Sequence, residues 1–593
     1  MIRCSFALHR GGGAAAAFAG ALLVLAPAVC RAAATTYHVA PSGDDAASGT
    51  VTAPFRTLQR GVNTLRPGDT LLVAAGTYRE TVRLERGGTL SAPVTIAARP
   101  GAQVIVSGAD RLRDGWTKAE SSEDAYVHEW PHVFPINRRP DGTLELTHPG
   151  DKEHELTGRA EQVLHEGRRL RQVLARERLE RETFFVDLAA KRLYVILRGG
   201  DDPARTEVEA STRGEWLVGG ENVAHVRLRG ITFRYAANHA QRGAFRMARG
   251  TRNWTVEDCT FERTNAAGAS LAGAGHVFRR CTFQDNGQLG FGASFCHDTR
   301  MESCSFYRNN AKGYSTGWEA GALKIALSRR FVLDRCRSVD NRGTGVWYDI
   351  GNEQSVVRNC YIADNDESGI FYEISYGLHA HDNVIVRNGL RRGEEVGGAW
   401  GVTAGITLSS SQDCVVEHNT LVGNRDGIAF REHGRTTPRI DQIDGAATEV
   451  RIFNKNHVIR NNLVAYSPDY GIALWFDVTF FGPHPGGGDK NQPAPEDLRT
   501  LNIRFADNLL FAPPGRPNYL YGAPWRSKSR SFATPAEFAK AAGISDTSRT
   551  GDPKFADTTA GDFRLLPSSP AATLKAGARS STPAGRQAAA AAR

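Results

Sequence analysis

The sequence predicts an all-β chain wound as a right-handed parallel β-helix, and three observations carry that expectation. A block of about 22 to 24 residues recurs, marked by Cys259, Cys281, Cys304, Cys336, Cys360, Asn383, Asn419, Asn462 and Asn508, and such a period is the mark of a stacked solenoid. The spacings of 22, 23, 32, 24, 23, 36, 43 and 46 keep one coil while lengthening four steps by inserted loop. An apolar residue two places after most markers (Phe261, Phe283, Phe306, Ile362, Ile385, Leu421, Val464, Leu510) keeps the period of a strand, and Asn286, Asn309, Asn341, Asn365, Asn388 and Asn424 follow five places on as turn-formers.

Taken in chain order, residues 1–34 have the plan of a secretory signal: Arg3 and Arg10, an apolar run from Ala14 to Val29, and Ala32-Ala33-Ala34 as a cleavage site. An exported protein, periplasmic or extracellular, follows from that plan. Residues 35–109 read as an N-terminal cap and first coils, with an amphipathic helix near Pro54 to Val62 over the open end. From 110 to 212 the period is lost and alternating strands such as Phe184 to Asp187 and Arg192 to Val195 point to an inserted antiparallel β domain. The coils resume over 213–512. Residues 513–575 hold a helical piece at Pro535 to Ala542 and two expected coil fragments, Gly551 to Phe555 and Gly561 to Leu565, and 576–593 read as a disordered tail.

Seven of the nine cysteines follow the signal, and five of these share one coil position. A column of small buried thiols accounts for them without disulfides, Cys296 and Cys414 lying off it. The net charge of +9 suits an anionic polysaccharide, but basic residues never interleave with aromatics as nucleic-acid binding requires. No later segment holds the 18 or more apolar residues of a membrane span.

The chemistry centres on two coils that align without a gap, Gly345-Val346-Trp347-Tyr348-Asp349-Ile350 over Gly369-Ile370-Phe371-Tyr372-Glu373-Ile374. One coil of offset sets Asp349 and Glu373 on adjacent rungs about 4.8 Å apart. Two acids so placed split their proton affinities, as a glycosidase needs, and a carboxyl gap of about 5–5.5 Å suits a retaining mechanism. The column continues through Ser409 and Arg431 to Trp475, and in the other direction Gly321 leads to Lys324 and Ile325, with Glu319 just before. Loops at 310–320, 390–403, 432–455 and 477–499 wall this face. Trp318, Trp347, Tyr348, Tyr372, Trp400 and Trp475 are the expected sugar-binding aromatics.

On these motifs the chain resembles the β-xylosidases of glycoside hydrolase family 120. The resemblance implies a pectate-lyase-like solenoid with an inserted β domain, the nucleophile at Asp349, the acid/base at Glu373 and a further carboxylate at Glu319. The implied partner is an oligo- or polysaccharide, with no cofactor required. The rival on the same fold is a polysaccharide lyase or uronate epimerase, in which Lys324 or a histidine removes a proton and Arg431 or a bound calcium ion neutralises the carboxylate. A second rival is a carbohydrate-binding protein without turnover. His379, His381 and Asp382 suggest a metal, but a third ligand is not evident and a satisfied surface pair accounts for them; His433 has no assigned role.

Overall fold

The computed structural model describes residues 33–120, 124–134, 155–391, 401–440, 450–476, 498–522 and 528–579, and residues Thr35–Arg593 form one compact unit. Among the described residues the chain winds into three sheets of thirteen strands each. The first runs from Thr36–Val39 to Arg504–Ala506, the second from Val82–Leu84 to Arg530–Phe532, and the third from Gly76–Tyr78 to Arg549–Thr550. Pairing is parallel from rung to rung until Arg530–Phe532 closes the second sheet antiparallel to Tyr519–Gly522.

The interior is built of like-on-like columns, because each coil repeats the one beneath it. Phe233, Phe261, Phe283 and Phe306 stack face to face at 5.2, 4.8 and 5.1 Å. Ser338 takes the next place and Ile362, Ile385, Leu421, Val464 and Leu510 continue the column. The expected turn-formers are a buried ladder: from Asn286 through Asn309, Asn341, Asn365 and Asn388 to Asn424, each amide Nδ2 donates to the next Oδ1 at 3.0, 2.9, 2.9, 2.8 and 2.8 Å. A second ladder joins Asn383, Asn419, Asn462 and Asn508. These side chains satisfy turn amides that water cannot reach. All seven described cysteines are free and buried, Cys296 with its thiol pushed up to about 12 by burial.

Both ends are capped. The helix Leu58–Thr64, N-capped by Thr57, packs on Leu71 and Val39. The helix Pro535–Ala542 carries a complete capping box of Thr534 and Glu537 and lays Phe538 on Tyr519 at 4.5 Å.

The segment between Ser107 and Leu217 leaves the solenoid without disturbing its register, since Val82–Leu84 pair directly with Leu217–Gly219 and Val104–Ser107 with Ile231–Arg234. It forms a four-stranded antiparallel sheet and a five-stranded one. The second is mixed rather than antiparallel throughout, because Arg171–Val173 run parallel to Thr183–Asp187. These sheets enclose their own cluster of Trp130, Phe184, Leu193 and Val195, reached from the coils by Ala237.

Two expectations for the C-terminus are corrected. Phe555–Asp557 and Asp562–Leu565 form an antiparallel hairpin instead of coil rungs, the turn Thr558 to Gly561 being too short for a parallel crossover. The chain is also still fastened beyond residue 576: Gly577 N donates to Asn461 O at 2.9 Å, and Arg579 binds both carboxylate oxygens of Asp382 at 3.0 and 2.7 Å.

Candidate active site

The second sheet carries the two acids. Val346, Trp347 and Tyr348 pair with Ile370, Phe371 and Tyr372, so Asp349 and Glu373 close neighbouring strands on the outer face. The residues that follow them, Ile350 and Ile374, have φ of 58° and 39°. Left-handed backbone at a β-branched residue is rare and strained. It turns the chain out of the sheet directly after each acid, and Ile452 of a hairpin formed by Arg435–Thr437 and Val450–Ile452 packs on this corner.

From Glu373 the column runs to Ser409, Arg431 and Trp475, as the glycine alignment predicts. In the other direction Gly321 bridges Thr344 rather than Gly345. The register is thereby one residue off the alignment: Ala326 stands level with Asp349, and Lys324 with Trp347. Because faces alternate, this single step sends Ile325 inside and Lys324 out.

Lys324 organises the site. Its Nζ is 2.9 Å from Asp349 Oδ2, 3.0 Å from Glu319 Oε1 and 4.1 Å from the Trp347 ring centroid. Burial alone would depress this amine, but the two carboxylates outweigh it and raise its proton affinity above the usual lysine value. Glu319, at φ 56°, is delivered by the 310–320 loop, which the inserted segment braces: Tyr314 Oη donates to Thr157 O, and Lys312 donates to Arg159 O and Asn265 Oδ1.

Glu373 is only 6 % exposed. Burial first and the charge of Asp349 second push its carboxyl above the ordinary glutamate value, against the opposing pull of Arg435, Arg431 and Lys324. Arg435 Nη1 lies 2.9 Å from Glu373 Oε1 and 3.5 Å from His433 Nε2. Arg435 has no counterpart in the coil pattern, being a loop residue folded back over two rungs; Arg439 secures the same hairpin over the Tyr376 ring at 4.1 Å. Only the loop's length signals it in sequence.

The aromatics differ from expectation. Tyr348 and Tyr372 are corrected outright: both are 0 % exposed inside the solenoid, since each precedes an outward acid by one residue and alternation turns it inward. Trp475 is 2 % exposed, packed among Ala404, Ala429 and Ala473 with its Nε1 donating to Asp426 Oδ2 at 2.9 Å, so it anchors the fold instead of offering a platform. Trp347 is stacked on Phe371 at 5.6 Å and lies under Lys324. Trp318 is half-buried against Tyr314, and Trp400 lies outside the described residues.

A cleft of about 350 Å³ opens on the N-terminal side of the acids. Its floor is made of small residues, among them Ser270, Gly292, Ser294 and Ala326, and Glu319 and Lys324 form its wall toward Asp349. A buried carboxyl able to hold a proton, next to an ion-paired carboxylate at the end of a cleft, can perform paired acid and nucleophile chemistry.

Among the described residues no three His, Cys, Asp or Glu side chains are placed to hold a metal ion. The rings of His379 and His381 lie 4.3 Å apart, tilted by 35°, and are each engaged by a carboxylate, Glu417 at 3.0 Å and Asp382 at 2.8 Å. No helix among these residues is long and apolar enough to cross a membrane.

Comparison with known proteins agrees with this architecture. Residues 247–400 match the family model described as right handed beta helix region, 328–479 that of periplasmic copper-binding protein (NosD), and 41–86 a protein family of unknown function. The histidine pair just described lies within the second span. The solved complex of XylC with xylose superposes with a TM-score of 0.62 at 15 % identity, covering 88 % of this chain and 87 % of that one. Pectate lyase PEL9 of Emericella nidulans is 37 % identical over 14 % of this chain and 20 % of its own length. The uncharacterized protein YwoF of Bacillus subtilis is 35 % identical over 12 % and 15 %. The matched stretch thus spans a fifth or less of either relative.

Proposed function

We propose that this right-handed β-helix protein is an exported glycoside hydrolase that cleaves with retention, Asp349 being the nucleophile and Glu373 the acid/base. The observation that carries the reading is the contrast between the two acids: Glu373 is buried with a raised carboxyl, while Asp349, one rung away, is ion-paired to Lys324. In the first step Glu373 gives its proton to the leaving oxygen as Asp349 attacks the anomeric carbon. The Asp349 ester so formed is opened by a water that returns its proton to Glu373. Lys324 and Glu319 fix the nucleophile, and Arg435 moderates the charge on Glu373.

The outer face favours action at a chain end. Beyond Glu373 it is filled by Thr407, Ser409, Ala429 and Trp475, all buried, whereas the open cleft lies on the other side. The xylose bound by the superposable XylC makes xylosides the first substrates to test. A lyase has one observation in its favour, the local similarity to a pectate lyase. Against it, Lys324 is held protonated between two carboxylates, the wrong state for a base.

The test is a panel of aryl glycosides and labelled oligosaccharides with Asp349→Ala and Glu373→Ala. Asp349→Ala should lose all turnover. Glu373→Ala should still open an activated aryl glycoside and be rescued by azide, with a β-configured azide product for a β-glycoside substrate. Near-normal rates in both variants, or an unsaturated uronide product, would overturn the proposal. Secreted protein should begin near Thr35.

A further inference from the structure

The cleft is asymmetric in charge, and its basic end has no role in the chemistry above. Along one outward column Arg246 pairs with Ser270, Ser270 with Gly292, and Gly292 with Lys324. Two small residues therefore separate two cations, over three rungs or about 14 Å. A disaccharide fills such a length. The second outward column is equally low, with Ser294 and Ala326 leading to Asp349.

At the far end Arg246 does not have a carboxylate to itself. Glu215 is shared by Arg242 at 2.8 Å, Arg246 at 3.0 Å and Arg83 at 3.0 Å. One negative charge among three guanidiniums leaves a surplus of positive charge, and Nε of Arg246 is buried without a hydrogen-bond partner among the described residues. Arg249 adds to it: this exposed side chain lines the same cleft, with its guanidinium over the Phe295 ring at 3.8 Å. Phe295 is itself held at φ 52°, which brings the ring and the cation to the cleft wall together. A planar guanidinium held on an aromatic face keeps its outer N–H groups directed for bidentate binding of an oxyanion.

We infer that Arg246 and Arg249 form a subsite for an anionic sugar, a uronosyl residue or a sulfated one, placed about two residues from the bond that Asp349 and Glu373 address. This rests on the reading of the cleft as a glycan site, and it names the substrate class as acidic oligosaccharide. The low floor of Ser270 and Gly292 admits the intervening sugar ring, and the surplus charge selects the acidic group at the far end.

Calorimetric titration of the intact protein at low and high salt tests it. The probes are uronic-acid-bearing xylo-oligosaccharides and oligouronides, each beside the same preparation with its carboxyls reduced to alcohols, and a sulfated neutral oligosaccharide. The acidic form should bind at least tenfold more tightly at low salt, the advantage should shrink at high salt, and Arg249→Gln should remove most of it. Arg246→Gln should act in the same direction; should that variant fold poorly, Arg249→Gln alone decides. Equal binding of the reduced sugars, an acid preference that survives Arg249→Gln, or no binding by any acidic probe would overturn the subsite. Failure of the hydrolase reading is distinct: acid-selective, arginine-dependent binding would persist while no glycosidic bond is cleaved.

Discussion

Replacing Lys324 separates the hydrolase from its rival most sharply. Lys324→Met removes an ammonium that contacts Asp349 at 2.9 Å and Glu319 at 3.0 Å. With charge centres about 4 Å apart, such a pair is worth about 4 kcal/mol at an effective dielectric of 20. Asp349 reaches solvent in part, so water recovers some of this, leaving about 2–4 kcal/mol, near the cost of breaking a buried pair by deleting one partner. Carried into the attack by Asp349, that cost becomes a loss of about 30- to 900-fold in kcat/KM.

The sign of the lysine term sets the window. Its affinity for a proton is raised above the ordinary 10.5 on folding, so its contribution to stability is whole below that value and is lost only as pH climbs through the higher folded one. Assays between pH 4 and 8 therefore see a fully charged Lys324. Lys324→Arg keeps the charge and should stay within about tenfold of the parent. The assay is kcat/KM against pH on an aryl glycoside, with thermal unfolding to confirm the fold. A loss that is complete in Lys324→Met and just as deep in Lys324→Arg would refute the reasoning and assign Lys324 the proton transfer of a lyase.

Arg435→Gln removes the cation 2.9 Å from Glu373, so the Glu373 carboxyl should rise further and the alkaline limb of the pH–rate profile should move to higher pH; an unmoved limb would detach Arg435 from the acid. Asp426 is buried and raised to about 7, by burial and then by Asp469. An acid raised on folding stabilises below its unfolded value and loses that contribution as pH rises through its folded one, so unfolding free energy should fall by about 1.4 kcal/mol per pH unit between about 4 and 7 on its account. Asp426→Asn should flatten that slope in denaturant titrations. The Asn365 side chain makes four buried hydrogen bonds: its Oδ1 accepts from Asn341 N and Nδ2, and its Nδ2 donates to Asn388 Oδ1 and Ser338 O. Asn365→Ala should cost about 3–5 kcal/mol, read as a lowered denaturation midpoint, and a change below about 1 kcal/mol would show that water replaces the ladder.

What the sequence discloses follows from which contacts repeat. Residues that meet their equivalents one coil away are bound to a common period, so the phenylalanine stack, the asparagine ladders and the stacked carboxylates of Asp349 and Glu373 are all visible in spacing alone. The run from Glu373 to Ser409, Arg431 and Trp475 is legible for the same reason, even across inserted loops. Facing is the weaker inference wherever alternation is not applied residue by residue: Tyr348 and Tyr372 flank the acids in sequence yet lie inside the coil, and the slip at Gly321 exchanges Lys324 for Ile325. Least legible is anything that arrives from outside the period. Arg435 reaches Glu373 through a hairpin that returns over two rungs, and Glu319 arrives through a loop braced by the inserted segment. The solenoid therefore writes its scaffold and its paired acids into the repeat. Two of the groups set against those acids, Arg435 and Glu319, are written into the interruptions, where only three-dimensional contact reveals them.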